Sequence, residues 1–302
     1  MISPKNMQVE EYQWKRYGSV GLYGKLCVPP DVPLIALVIV VHGTGEHVGC
    51  YDDLAEKFTA QSVGLFAFDL RGHGRSSGKR GHGSLKIIKD DLRFVIGIMR
   101  QKFPDIPVVL FGHSMGGHIV LSYAIDGSVE VQGVIALSPW LKLVNPPSPV
   151  VVRLAKRASY VMPRFTVRMG IKAEQLVHDG VGAKSSSTDP LLHKKISIKL
   201  FSDVWANSET ILSNQHRMNV PLLLMHGTAD PLTSYQASKS VAHNAGEHAT
   251  FKQWQGMYHN LLNDTRSEIV FQYMMKWLSK QIIEKEKGNG TVQNRRKMYR
   301  IV

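Results

Sequence analysis

Apolar residues along the chain gather into short, nearly continuous runs, separated by longer segments with helical spacing. The runs are Leu34 to Val41, Gly64 to Phe68, Val108 to Phe111, Val131 to Leu137, Val220 to Met225 and Thr250 to Trp254. Each is of strand length and rich in Val, Leu, Ile or Phe, as strands buried on both faces are, so the pattern predicts a mostly parallel sheet. An alternating stretch ahead of them, Val9 to Cys27, predicts a hairpin. Between the runs, Ile88, Leu92, Val95, Met99 and Phe103 recur at steps of three and four on one helical face, with Ser84 as the N-cap. Gly117 to Asp126 continues as a helix after its strand, and Thr265 to Ile283 closes the chain as a final helix through Ile269, Tyr273, Trp277 and Leu278. Strands and helices alternating in this way make an α/β fold.

The alternation breaks between Ser138 and Asn219, a stretch with several Pro and Gly and no clear strand, which reads as an insertion. Within it Ser148-Pro149 starts a helix, an N-cap followed by Pro at the first position. That helix sets Val151, Leu154, Ala158, Val161 and Met162 on one side, with Arg153, Lys156, Arg157 and Arg164 largely on another. The expected organisation is a core of residues 1–139 and 206–284, a cap of residues 140–205, and a basic, disordered tail of residues 285–302.

Composition narrows the class. With 302 residues, 43% hydrophobic and 20% charged, the chain is globular, which excludes disordered and fibrous classes. No apolar run reaches the roughly 18 to 20 residues that span a bilayer, and the first residues lack a signal peptide's apolar segment, so the expectation is a soluble, cytoplasmic protein. Cys27 and Cys50 are too few for a disulfide scaffold, and no CxxC or HExxH spacing points to a metal. The net charge of +13 is unevenly spread: 140–205 holds 11 Lys and Arg against 4 Asp and Glu, and 284–302 holds 6 against 2. Without a basic motif interleaved with aromatics, no nucleic-acid partner is expected. The basic cap helix is instead expected to touch an anionic membrane surface peripherally.

The chemistry begins where the run Val108 to Phe111 enters Gly112-His113-Ser114-Met115-Gly116, a G-x-S-x-G between a strand and a helix. A sharp turn there lifts the Ser114 hydroxyl above the sheet, and the small glycines let strand and helix approach. A serine hydroxyl is a weak nucleophile and needs a base, which in turn needs a carboxylate to orient it. Asp230 follows the run Val220 to Met225, and His259 lies on the loop before the final helix. They supply acid and base in that chain order, with Asp203 and Asp264 as weaker alternatives for the acid. Met115 offers a backbone N–H at the helix start, and the loop His42-Gly43-Thr44-Gly45-Glu46-His47 offers that of Thr44; together they form the expected oxyanion hole. Asp69 to Ser76 reads as a loop-fixing segment beside the site.

HGTGEH at 42–47, DLRGHGRSSG at 69–78 and GHSMGG at 112–117 together resemble the monoglyceride lipase and lysophospholipase branch of the α/β hydrolases. Asp189-Pro190-Leu191-Leu192-His193 is similar to a cap-exit segment of that family. The resemblance implies an eight-stranded, mostly parallel sheet with helices on both faces and an inserted helical cap. It also implies Ser114, Asp230 and His259 as triad, Thr44 and Met115 as oxyanion hole, no cofactor, and a single-acyl lipid ester as substrate. A small or phenolic ester, or binding without turnover, are the other readings. One departure bears on substrate: Cys50 stands before Tyr51 where many members carry Arg.

Overall fold

Eight strands form the central sheet of the computed structural model, which describes residues 7–16, 20–127, 131–177 and 189–284. The tail expected from residue 285 lies outside them. β1 (Gln8–Arg16) and β2 (Val20–Val28) are the two arms of the expected hairpin. β3 (Ala36–Val41), α1 (Asp52–Thr59), β4 (Val63–Phe68), α2 (Leu85–Lys102), β5 (Val108–His113), α3 (Met115–Ile125) and β6 (Gly133–Leu137) alternate as strand and helix. The insertion carries α4 (Pro149–Val161), β7 (Thr166–Arg168) and β8 (Lys195–Ser197), and α5 (Ile198–Asn214) leads back to β9 (Leu222–Gly227). α6 (Tyr235–Asn244), β10 (Ala249–Trp254) and α7 (Ser267–Leu278) complete the fold. The strand order is β1-β2-β4-β3-β5-β6-β9-β10, antiparallel through β2 and parallel from β4 onward.

Two cores follow from the period of two along each strand. Leu37, Ile39 and Val41 of β3 face α2, α3, α5 and α6 in one cluster, whereas Val38 and Val40 face α1 and α7 in the other. The helical face predicted from residue 88 onward is the one buried, with Ile88, Leu92, Val95 and Met99 in the first core and Ser84 capping Ile87 N. The parallel arrangement sends the ends of β3, β5, β6, β9 and β10 to one rim, where a ligand crevice belongs in such sheets.

The insertion departs from expectation in two ways. β7 and β8 pair as a small antiparallel ribbon where no strand was read, because three-residue strands carry too little alternation to recognise. α5 runs unbroken through 205–206 and buries Leu200, Val204 and Ile211 in the core, so the insertion returns to the sheet on a continuous helix. α4 starts at the predicted cap Ser148 and packs on α5, yet only Ser159 of its residues is buried. Val151, Leu154, Val161 and Met162 are exposed, so the predicted apolar side is present and uncovered.

Candidate active site

Ser114 occupies the turn between β5 and α3 at φ 55°, ψ −116°, a region that L residues rarely adopt. Two glycines make this turn feasible. A Cβ on Gly112 would lie 2.3 Å from the Gly116 carbonyl oxygen, and one on Gly116 would lie 1.9 Å from that of Val41. Ser114 N donates to Leu137 O at 3.0 Å and Trp140 N to Ser114 O at 3.0 Å, which ties the turn to the end of β6.

Asp230 and His259 meet as expected. His259 Nδ1 lies 2.7 Å from Asp230 Oδ2, with both side chains buried. Asp230 Oδ1 accepts from Leu232 N and Thr233 N, and Oδ2 also accepts from the Thr233 hydroxyl and from His226 Nε2 at 2.9 Å. Burial alone would raise the pKa of this carboxyl, but the imidazoles of His259 and His226 hold it well below the usual range, so it is ionised. Burial lowers the pKa of His259, partly offset by Asp230, so the imidazole is neutral near pH 7. With Nδ1–H committed to an acceptor-only carboxylate, Nε2 is left with its lone pair. The His259 ring packs against His113, the residue before Ser114, at 5.0 Å between centroids. The described residues form no hydrogen bond between His259 and the Ser114 hydroxyl; such contacts often tighten only with substrate bound.

Thr44 and Met115 also come together, the Thr44 hydroxyl donating to Met115 Sδ at 3.4 Å. Asp203 and Asp264, the weaker candidates, do other work: Asp203 accepts from Leu85 N at the start of α2 and from Lys199, while Asp264 accepts from Arg266. Asp69 fixes loops, accepting from Val48 N and Arg75 N.

The structure adds a pair, His113 buried and Glu46 half-buried, that lies beside these residues. Glu46 accepts from Gly43 N at 2.8 Å and the Tyr51 hydroxyl at 2.7 Å, and faces His113 Nδ1 at 3.2 Å. Burial opposes both charges, yet His113 holds the Glu46 carboxyl below its usual range and Glu46 lifts His113 above its own. A side-chain contact between Glu46 and His113 therefore joins the Thr44 loop to the residue preceding Ser114. Its members sit inside two noted motifs, HGTGEH and GHSMGG, but nothing in the linear text pairs positions 46 and 113.

Comparison with known proteins agrees with this architecture. Residues 33–266 match a family model described as serine aminopeptidase, S33. A monoacylglycerol lipase of Mycolicibacterium smegmatis is 29% identical over 252 residues, 82% of this chain and 90% of that protein. An abhydrolase domain-containing protein of Dictyostelium discoideum is 31% identical over 88% of this chain, which spans only 28% of that longer relative. Among solved structures, the monoacylglycerol lipase of Paleococcus ferrophilus superimposes with a TM-score of 0.80 at 31% identity, covering 86% of this chain and 99% of that one. The strand order, the turn at Ser114 and these matches lead to one assignment: the chain belongs to the serine aminopeptidase S33 family of α/β hydrolases, alongside the monoglyceride lipases.

Proposed function

We propose that the chain hydrolyses the ester bond of monoacylglycerols, with Ser114 as nucleophile, His259 as base and then acid, and Asp230 as the carboxylate that orients His259. Ser114 Oγ adds to the ester carbonyl as its proton passes to His259 Nε2. The oxyanion so formed is received by the backbone N–H groups of Thr44 and Met115, each worth about 3 to 4 kcal/mol. Collapse expels glycerol, which takes the proton from His259, and water repeats the sequence on the acyl-enzyme to release the fatty acid and restore Ser114.

The observation that carries the reading is the buried His259, 2.7 Å from Asp230 through Nδ1 and packed against the residue that precedes the strained Ser114. The monoglyceride lipases among the relatives support the substrate class. The cap supports a substrate drawn from a lipid surface: Val151, Leu154, Tyr160 and Val161 of α4 are exposed, the last two at 79% and 83%, next to the exposed Arg153, Lys156 and Arg157. Purified protein is expected to release fatty acid from a monoacylglycerol and to cleave short p-nitrophenyl esters. A Ser114→Ala variant is expected to lose at least about 10³-fold in kcat; an active Ser114→Ala variant would refute the assignment.

A further inference from the structure

The cap-exit segment Asp189 to His193 is seated directly on the loop that carries Thr44. His47 Nε2 lies 2.8 Å from Asp189 Oδ2, and His193 N donates to Gly45 O at 3.0 Å. His47 Nδ1 accepts from Gly49 N, which leaves Nε2 to donate to the carboxylate. Asp189 uses its other oxygen to accept from Leu191 N at 2.8 Å, which shapes the turn leading to His193. Gly45 has φ +80°, and a Cβ there would lie 1.8 Å from the His193 carbonyl oxygen, so loop and segment touch backbone to backbone. The segment is anchored on a second core loop as well: His193 Nε2 reaches Gly72 O at 3.2 Å and its ring packs on His73 at 4.6 Å.

The Thr44 loop is thus tied to the core through Glu46, which faces His113, and to the cap through this segment. We infer that Asp189 and His193 are positioning residues for the oxyanion hole, so that the seated cap, and not the core alone, sets the aim of the Thr44 N–H. The inference rests on the hydrolase reading above and adds that the cap contributes to the chemical step besides covering the substrate. An interaction that fixes an oxyanion donor acts in the transition state, so its loss lowers kcat and leaves KM nearly unchanged.

The test is a double-mutant cycle with His47→Ala and Asp189→Ala on a soluble short p-nitrophenyl ester, with melting temperatures measured alongside. Each single variant is expected to lose about tenfold in kcat with KM within twofold, and the double variant to fall no further than the worse single. Inhibition by an alkyl trifluoromethyl ketone, whose serine adduct places its oxygen in the same hole, is expected to weaken by a similar factor. His47→Gln, whose amide can still donate, is expected to keep most of the activity and covers the case in which an alanine variant fails to fold. Unchanged kcat in folded single variants, or losses that multiply in the double, would overturn the inference. Wild-type protein that is folded but inert to both ester and ketone would instead remove the reading beneath it.

Discussion

Ser114 holds a backbone conformation that costs an L residue about 1–3 kcal/mol, a strain tolerated because the same turn presents the hydroxyl. Removing the Cβ should release part of it: Ser114→Gly is expected to melt at a higher temperature than Ser114→Ala, with both inactive, and a lower melting point for the glycine variant would contradict the strain account. His259 makes a pH prediction with a definite sign. Its pKa is lowered by burial, and the base must be neutral, so kcat/KM on a soluble ester should hold below pH 6.5 and fall only at more acidic pH. A falling limb centred above pH 6.5 would go against that. Asp230→Asn leaves the shape but lets His259 adopt the wrong tautomer; a loss of roughly 10⁴-fold in kcat is expected. At this scale position along the chain foretold the turn at Ser114 and the meeting of Asp230 with His259, since each of the three follows a strand. It was silent on the contacts of His226, Thr233, Glu46 and His113, which depend on which side chains the fold brings within hydrogen-bond distance.

Elements were legible in proportion to the length of their pattern. The buried strands and α2 announced themselves because whole runs of Val, Leu and Ile must face a core, while α1, only eight residues long, and the three-residue strands β7 and β8 did not. Helix α4 shows the limit of periodicity: the apolar side was placed correctly, but a pattern cannot say what covers it, and here no described residue does. Close packing between elements is also a matter of glycine. Gly116→Ala would drive a methyl into the Val41 carbonyl, backbone against backbone, so β3 and α3 would have to separate. A destabilisation of about 3 kcal/mol or more is expected, read as a melting temperature lower by roughly 5–10 °C. A variant with wild-type stability would show that this contact is looser than described.

For the whole molecule, the charge and the apolar surface coincide on the cap. No described helix is long and apolar enough to cross a membrane; the proposed contact with a lipid surface uses the exposed Val151, Leu154 and Val161 of α4. A contribution of about 1 kcal/mol per basic residue near an anionic surface gives reversible binding that weakens as salt rises. Co-sedimentation with anionic vesicles is expected to fall in a Leu154→Glu, Val161→Glu double variant, while turnover of a soluble ester stays near wild type. Equal sedimentation would assign the exposed face some other role. All of this depends on one activated hydroxyl at the rim where the parallel strands end. Labelling the folded protein with a fluorophosphonate probe and locating the adduct by peptide mass spectrometry tests that most directly. The account predicts a single adduct on Ser114, absent after Ser114→Ala or His259→Ala; an unlabelled protein, or an adduct on another residue, would contradict it.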